Sequence, residues 1–287
     1  MQGSCLCGDV TWEAEGPFDL MSHCHCSRCR KVHGSAYGTY LTTAAERFRL
    51  AKRDGIVRYA HGIVRYASSA GFARPFCGRC GSVVPDGAAT DGQVAMPAGS
   101  LDGDPEARPL AHIFVASKAP WYEIGAALPR FDAYPPGFGT GALADRPPTD
   151  PPGATRGSCL CGAVGFVLTE RPQLARYCHC SRCRKARSAA FASNLFVSDA
   201  GVRCTRGAER LVSYKIPEAL RFTQSFCRDC GGKLPRIDRE RKVAVVPMGA
   251  LDDDPGIRPQ AHIFVASKAP WDRIEDALPQ HAEYAPT

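Results

Sequence analysis

The eight letters CHCSRCRK stand at residues 24–31 and return at 178–185. Each copy sets three cysteines in a C-x-C-x2-C array: Cys24, Cys26 and Cys29, then Cys178, Cys180 and Cys183. A C-x-C pair and a C-x2-C pair accompany each array. They are Cys5 and Cys7 with Cys77 and Cys80, and Cys159 and Cys161 with Cys227 and Cys230. The chain has 15 cysteines, an odd number that disulfides cannot fully pair. MQGSCLCGDV lacks the charged start and apolar run of a secretory signal, so a reducing, cytoplasmic setting is expected. There, cysteine pairs at such spacings are metal ligands more often than disulfides. Buried free thiols would account for one or two cysteines, not for fourteen in repeated patterns.

Seven thiols per repeat divide into four and three. A structural zinc site takes four protein ligands, whereas a catalytic site keeps one position open. The outlying pairs make one closed site: Cys5, Cys7, Cys77 and Cys80, and in the second repeat Cys159, Cys161, Cys227 and Cys230. Such a site closes a long loop and stabilises a turn-rich domain. The compact triplet is left as an open site. Two other readings stand beside it. One is a second structural zinc with His25 or His179, or a distant residue, as fourth ligand. The other is an iron–sulfur cluster, which usually needs four cysteines. Cys204 faces Leu50 at the repeat offset and is expected to be an ordinary buried thiol.

The elements that must position these thiols are also written twice. GSCLCG occurs at 3–8 and 157–162, FCGRCG at 76–81 answers FCRDCG at 226–231, and AHIFVASKAPW is identical at 111–121 and 261–271. The offset is 154 residues through the first blocks and 150 through the last. A local seven-residue duplication, GIVRYAHGIVRYA at 55–67, partly offset by a shortening elsewhere, explains the change of four. The proline-rich stretch 135–156 reads as an exposed linker. The chain therefore divides into a first domain over 1–134, the linker, and a second domain over 157–287.

Frequent glycine (28) and proline (23) favour short strands and turns. DVTWEAEG (9–16) alternates as a half-buried strand, and QVAMPAGSL (93–101), KVAVVPMGAL (242–251) and AHIFVAS read as buried strands. SRCRK runs into a helical turn. APWYEIGAALP (119–129) and APWDRIEDALP (269–279) predict one short amphipathic helix each. No window approaches 18 consecutive apolar residues, so no membrane-spanning helix is expected. The fold class is mainly β with short helices.

In this order, GSCLCG, HCHCSRCRK and FCGRCGS resemble the glutathione-dependent formaldehyde-activating enzyme family, which includes a centromere-associated branch. The resemblance covers both repeats and implies tandem β-tent zinc-binding domains. It implies a structural zinc on Cys5, Cys7, Cys77 and Cys80 and a labile zinc on Cys24, Cys26 and Cys29. The second repeat matches at Cys159, Cys161, Cys227 and Cys230, and at Cys178, Cys180 and Cys183. The implied activity is a carbon–sulfur lyase reaction on the adduct of glutathione and formaldehyde, S-hydroxymethylglutathione. The departure is the fusion of two copies, which leaves open the true thiol and aldehyde and whether both copies work.

A triplet-held zinc favours the anion of a substrate thiol, which then adds to an aldehyde carbon. His25 and His179 sit between ligand cysteines and either tune protons or serve as solvent-facing or supporting spacers. His112 and His262 lie in apolar strands and read first as satisfied core histidines. His23 and His33 have no histidine counterparts in the second repeat.

The formal charge of +7 invites a nucleic-acid partner, with Arg28, Arg30, Lys31, Arg182, Arg184, Lys185 and Arg187 as basic clusters. Metal-bound thiolates remove six of those charges, leaving about +1, and that reading loses much of its support. A non-catalytic zinc scaffold or metal buffer remains the rival. Arg187, where the first repeat has His33, predicts tighter binding of an anionic thiol by the second repeat.

Overall fold

The computed structural model describes residues 1–51, 62–69, 71–125, 127–137 and 154–285. Most of the 135–156 stretch and part of the 55–67 duplication lie outside them.

In the first domain β1 (Gln2–Ser4), β2 (Thr11–Ala14), β3 (Met21–Cys24), helix α1 (Ser27–His33) and β4 (Gly38–Ala44) come first. Then follow β5 (Phe48–Ala51), β6 (Ile63–Ser69), β7 (Phe72–Cys77), β8 (Gln93–Pro97), β9 (Ala111–Ile113) and β10 (Arg130–Phe131). Strands β1-β2-β5 form a small sheet, β10-β9-β3-β4-β8 a five-stranded sheet, and β6-β7 a hairpin.

The second domain repeats the plan. Its elements are β11 (Thr155–Ser158), β12 (Gly165–Leu168), β13 (Leu174–Cys178), α2 (Ser181–Arg187), β14 (Ala192–Ser198) and β15 (Val202–Arg206). They continue with β16 (Leu211–Lys215), β17 (Thr223–Cys227), β18 (Lys233–Leu234), β19 (Arg236–Asp238), β20 (Val243–Pro247) and β21 (His262–Ile263). The sheets are β11-β12-β15, β19-β20-β14-β13-β21 and β16-β17-β18. The alternation read in DVTWEAEG appears as β2, with Trp12 and Ala14 buried and Thr11 and Glu13 turned outward. Among the described residues the only α-helices are α1 and α2, and no helix is long and apolar enough to cross a membrane.

The helices predicted over 119–129 and 269–279 do not form. The Trp121 and Trp271 side chains are buried in the core and pin an irregular chain there. Lys118 and Lys268 donate to the carbonyls of Ala119 and Tyr122, and of Ala269 and Asp272, occupying acceptors that a helix would use. Cys204 is exposed, not buried: it stands on β15, an edge strand of its sheet.

The two domains dock on each other with exchanged contacts. Lys31 of α1 donates to the carbonyls of Ser158 and Ala250 and pairs with Asp252 in the second domain. Lys185 of α2 bonds Ser4 and Asp102 in the first. Phe76 and Phe226 meet edge to face with ring centroids 6.3 Å apart. Gly99 and Gly249 allow the close approach: a Cβ at 249 would lie 2.3 Å from the Arg30 carbonyl, and one at 99 would lie 2.1 Å from the Ala189 nitrogen. Three of the basic residues read as a candidate nucleic-acid surface, Lys31, Lys185 and Arg187, thus lie at the interface, with Lys31 and Arg187 buried.

Candidate metal and thiol site

The outlying cysteine pairs converge. Cys5, Cys7, Cys77 and Cys80 bring their sulfurs within 4.8 Å of one another, as do Cys159, Cys161, Cys227 and Cys230. Strand β7 delivers Cys77, β17 delivers Cys227, and the turns after β1 and β11 deliver the C-x-C pairs. The Cys5–Cys7 and Cys7–Cys77 sulfurs are 3.4 and 3.7 Å apart, and Cys161–Cys227 3.9 Å. A tetrahedral metal with ~2.3 Å bonds to sulfur needs sulfurs about 3.8 Å apart. The donor set fits a thiolate-bound metal, and the thiols are free.

The triplets also converge, as Cys24, Cys26 and Cys29 and as Cys178, Cys180 and Cys183. Strand β3 ends on Cys24 and pairs in parallel with β9, with Cys24 opposite Ile113. Cys26 is the N-cap of α1 and accepts the Cys29 backbone N–H at 3.4 Å. The second domain repeats this with Cys178 opposite Ile263 and Cys180 capping α2. C-x-C therefore joins a strand end to a helix cap, and the next helical turn brings the third thiol back to the same point. Arg30 and Lys31 in the last turn of α1 suit its negative end.

The electrostatics favour a cation. Hydrogen bonds from Cys178 and Cys183 pull the Cys180 thiol down to about 3, and those from Cys24 and Cys29 pull Cys26 well below its ordinary value. Cys178 is pushed up to about 12, chiefly by its bond to Cys180. One sulfur per triplet thus carries charge while a neighbour keeps its proton, the state a metal would replace by releasing that proton. No histidine or carboxylate joins either triplet among the described residues.

The histidines inside the arrays are fully buried, not solvent-facing. His25 Nε2 lies 2.9 Å from His112 Nδ1, and His179 Nε2 lies 2.8 Å from His262 Nδ1. Burial lowers His25 and His179 to about 3 and His112 to about 4, so these rings are neutral near pH 7. His262 also pairs with Asp276 at 3.0 Å. The pairs support the strand–helix corner that presents the thiols. They line, through His112 and His262, a cavity of about 500 Å³ between the domains, shared with Tyr37, Phe191 and Asp272. His23 packs against Tyr37 and bonds Thr39, and His33 lies 2.6 Å from the Arg187 carbonyl across the interface.

The two triplets differ in access. Cys24, Cys26 and Cys29 are buried, with Phe114, Tyr40 and Tyr134 packed against them. Cys180 and Cys183 are partly exposed and open into a cavity of about 480 Å³. Arg182, Arg187, Arg221 and Arg236 line that cavity. Arg187 is 7% exposed and bonds Asn194 Oδ1 at 3.2 Å.

The first domain is not without a guanidinium, as the Arg187-for-His33 exchange suggested. Arg74 on β7 places Nη1 3.5 Å from Cys29 Sγ. Arg74 belongs to no motif, and its counterpart in the second repeat is Gln224, so nothing in the repeat pattern marked it.

No curated protein matches the chain. A solved structure of a Rhodobacter sphaeroides protein is 29% identical, over 36% of this chain and 97% of that chain, with a TM-score of 0.28. The family model of the glutathione-dependent formaldehyde-activating enzyme matches residues 1–117 and 154–267. With four convergent cysteine clusters and a β-rich fold repeated within both matched segments, the chain belongs to the glutathione-dependent formaldehyde-activating enzyme family.

Proposed function

We propose that the protein is a zinc-dependent carbon–sulfur lyase that makes or breaks the adduct of a small thiol and an aldehyde. Glutathione and formaldehyde are the pair the family name suggests. The observation that carries this reading is the triplet Cys178, Cys180 and Cys183: three convergent sulfurs with no fourth protein ligand among the described residues, opening into an arginine-lined cavity. In this reading the domains are 1–134 and 157–287, joined by 135–156. The tetrads are structural, and the triplets Cys24, Cys26, Cys29 and Cys178, Cys180, Cys183 are catalytic. In this reading the protein works on free thiols in the reducing cytoplasm.

Zinc bound to a triplet would supply a Lewis acid that favours the thiolate of the substrate. The chain supplies the rest. The three cysteines hold the centre on a rigid strand–helix corner. Arg187 and its neighbours attract the carboxylates of an anionic thiol. Phe196 and Phe264 on the cavity wall limit water. The substrate sulfur forms a bond to the aldehyde carbon, the carbonyl π pair moves to oxygen, and the proton lost by the thiol ends on that oxygen. Cleavage is the reverse.

The test is metal analysis of the purified chain, with exchange between carbon-13 formaldehyde and glutathione followed by NMR. Four zinc ions and an exchange rate above the spontaneous one, lost in the chain with both triplets changed to serine, are expected. Zinc with no acceleration for glutathione or any of a panel of thiols would reject the enzyme and leave a metal scaffold.

A further inference from the structure

Arg74 stands beside triplet 1, and Arg187, the buried one of the four arginines that line the triplet 2 cavity, stands beside triplet 2; the two are not homologous positions. Arg74 lies on β7, where the second repeat has Gln224 on β17. Arg187 ends α2, where the first repeat has His33. The residues at the neighbouring repeat positions have changed in step. His33 Nε2 lies 2.7 Å from the Tyr40 hydroxyl, and the position of Tyr40 is taken by Asn194, which holds Arg187. The trio His33, Tyr40 and Arg74 in one domain thus stands where Arg187, Asn194 and Gln224 stand in the other.

Arg74 reaches a sulfur of its triplet, and Arg187 keeps a donor unpaired in the cavity of its own. Arg74 donates to Cys29 Sγ at 3.5 Å and its Nε is buried with no hydrogen-bond partner. The buried Arg187 lines the cavity with Cys178, Cys180 and Cys183, and its Nη1 likewise has no partner. A buried cation with unused donors needs a nearby anion. The Cys183 sulfur opposes the burial that lowers Arg187 to about 10. A divalent metal held by three thiolates carries one net negative charge, which one guanidinium balances. A fourth, thiolate ligand would add another.

We propose that Arg74 and Arg187 are the same positioning residue supplied from two different elements, each balancing the charge of its own metal–thiolate triplet and of an anionic thiol bound there. The exchange between helix and strand shows that one cation beside the third cysteine is the constraint, whichever element carries it. The inference rests on the reading that the triplets hold metal. Neither arginine touches the reacting carbon in this scheme.

Cobalt(II) is the probe, because its thiolate charge-transfer bands report ligation without turnover. Triplet 1 is isolated in the full chain by changing Cys178, Cys180 and Cys183 to serine, and a chain lacking both triplets supplies the signal of the tetrads. Arg74→Gln should weaken cobalt binding at triplet 1 by about tenfold, the lower end of what an opposite charge at this distance does to an ionised group. Arg74→Lys, which keeps the charge, should lose less. The combined change His33→Arg, Tyr40→Asn and Arg74→Gln, which copies the second domain's trio, should restore affinity to within about threefold of the unchanged site. An arginine needed only for packing would not be rescued from another element. Unchanged cobalt affinity in Arg74→Gln, or a combined variant as weak as the single one, overturns the proposal. Absence of cobalt bands from triplet 1 in the parent chain overturns the metal reading itself, and this inference with it.

Discussion

The ammonium of Lys31 lies 2.6 Å from the carboxylate of Asp252 in the opposite domain, with both side chains at or below 10% exposure. Its counterpart joins Lys185 to Asp102, with 23% and 40% exposure. Burial lowers the pKa of Lys31, and Asp252 opposes that shift. Removing one partner of a buried pair leaves the other charge desolvated. Lys31→Ala should therefore cost about 3 kcal/mol in urea unfolding. Lys185→Ala should cost about 1 kcal/mol or less, because water screens its pair. Equal costs would show that the difference in burial does not control the docking.

The convergence of the cysteines into four clusters was legible in the sequence because metal chemistry fixes both residue type and spacing. The C-x-C-x2-C array needs a strand end, a cap and one helical turn, and that is what residues 24–29 form. The docking was not legible. Lys31 finds its partners 127 and 219 residues away, at Ser158 and Ala250, and no local pattern encodes such a meeting. The helical pattern at 119–129 misled because Trp121 and the Lys118 bonds decide that segment by tertiary contact. Arg74 was invisible for a similar reason: its sulfur partner is 45 residues away, and its repeat mate is a glutamine.

The two kinds of cysteine site should respond differently to loss of one ligand. Cys77→Ser or Cys227→Ser opens a site that ties distant segments together, and should cost several kcal/mol in stability with loss of one tightly held metal. Cys26→Ser or Cys180→Ser keeps an N-cap that accepts the same backbone N–H, so the change in stability should stay within about 1 kcal/mol. Thermal melts paired with metal analysis decide this. Matching losses in all four variants would mean that every site is structural.

Metal should leave the triplets in a defined order. Cys180 and Cys183 are partly exposed, whereas Cys24, Cys26 and Cys29 are buried beneath aromatic rings. A chelator should empty triplet 2 first, then triplet 1, with the tetrads last. Release can be followed with a metallochromic indicator in chains lacking one triplet or the other. Faster release from triplet 1 would contradict the order of access.

Asp272 gives a pH dependence with a definite sign. Burial raises its carboxyl to about 6, against the opposing charges of Lys268 and Arg184. The ordinary value is about 3.9, so between pH 4 and pH 6 the folded chain holds this proton more firmly than the unfolded chain. Its contribution to stability is present below pH 4 and is lost as pH rises through 6. Asp272→Asn should remove that loss, so its unfolding free energy relative to the parent should rise by about 1.3 kcal/mol from pH 5 to pH 7. Urea melts at both pH values measure the double difference, from which metal loss common to both proteins cancels. A constant difference would place the carboxyl at its ordinary value.

Finally, the two triplets should differ as thiol sites. With Arg74 in the first domain and Arg187 in the second, both have a guanidinium, so the difference rests on access and on the wider field. Triplet 2 opens into a cavity of about 480 Å³ that also carries Arg182, Arg221 and Arg236. Triplet 1 is sealed by Phe114, Tyr40 and Tyr134. Glutathione brings two carboxylates and one thiol, and arginine is suited to hold a carboxylate with two parallel bonds. A chain with Cys24, Cys26 and Cys29 changed to serine keeps the open site. It should bind glutathione about tenfold more tightly than the chain that keeps only triplet 1, a difference of about 1.4 kcal/mol. Added salt should weaken that binding, while β-mercaptoethanol, which has no carboxylate, should show little salt dependence. Calorimetric titration of both zinc-loaded chains at two salt concentrations separates the effects. Tighter binding by triplet 1 would show that its aromatic cover, not the arginine-lined opening, is what recognises the thiol.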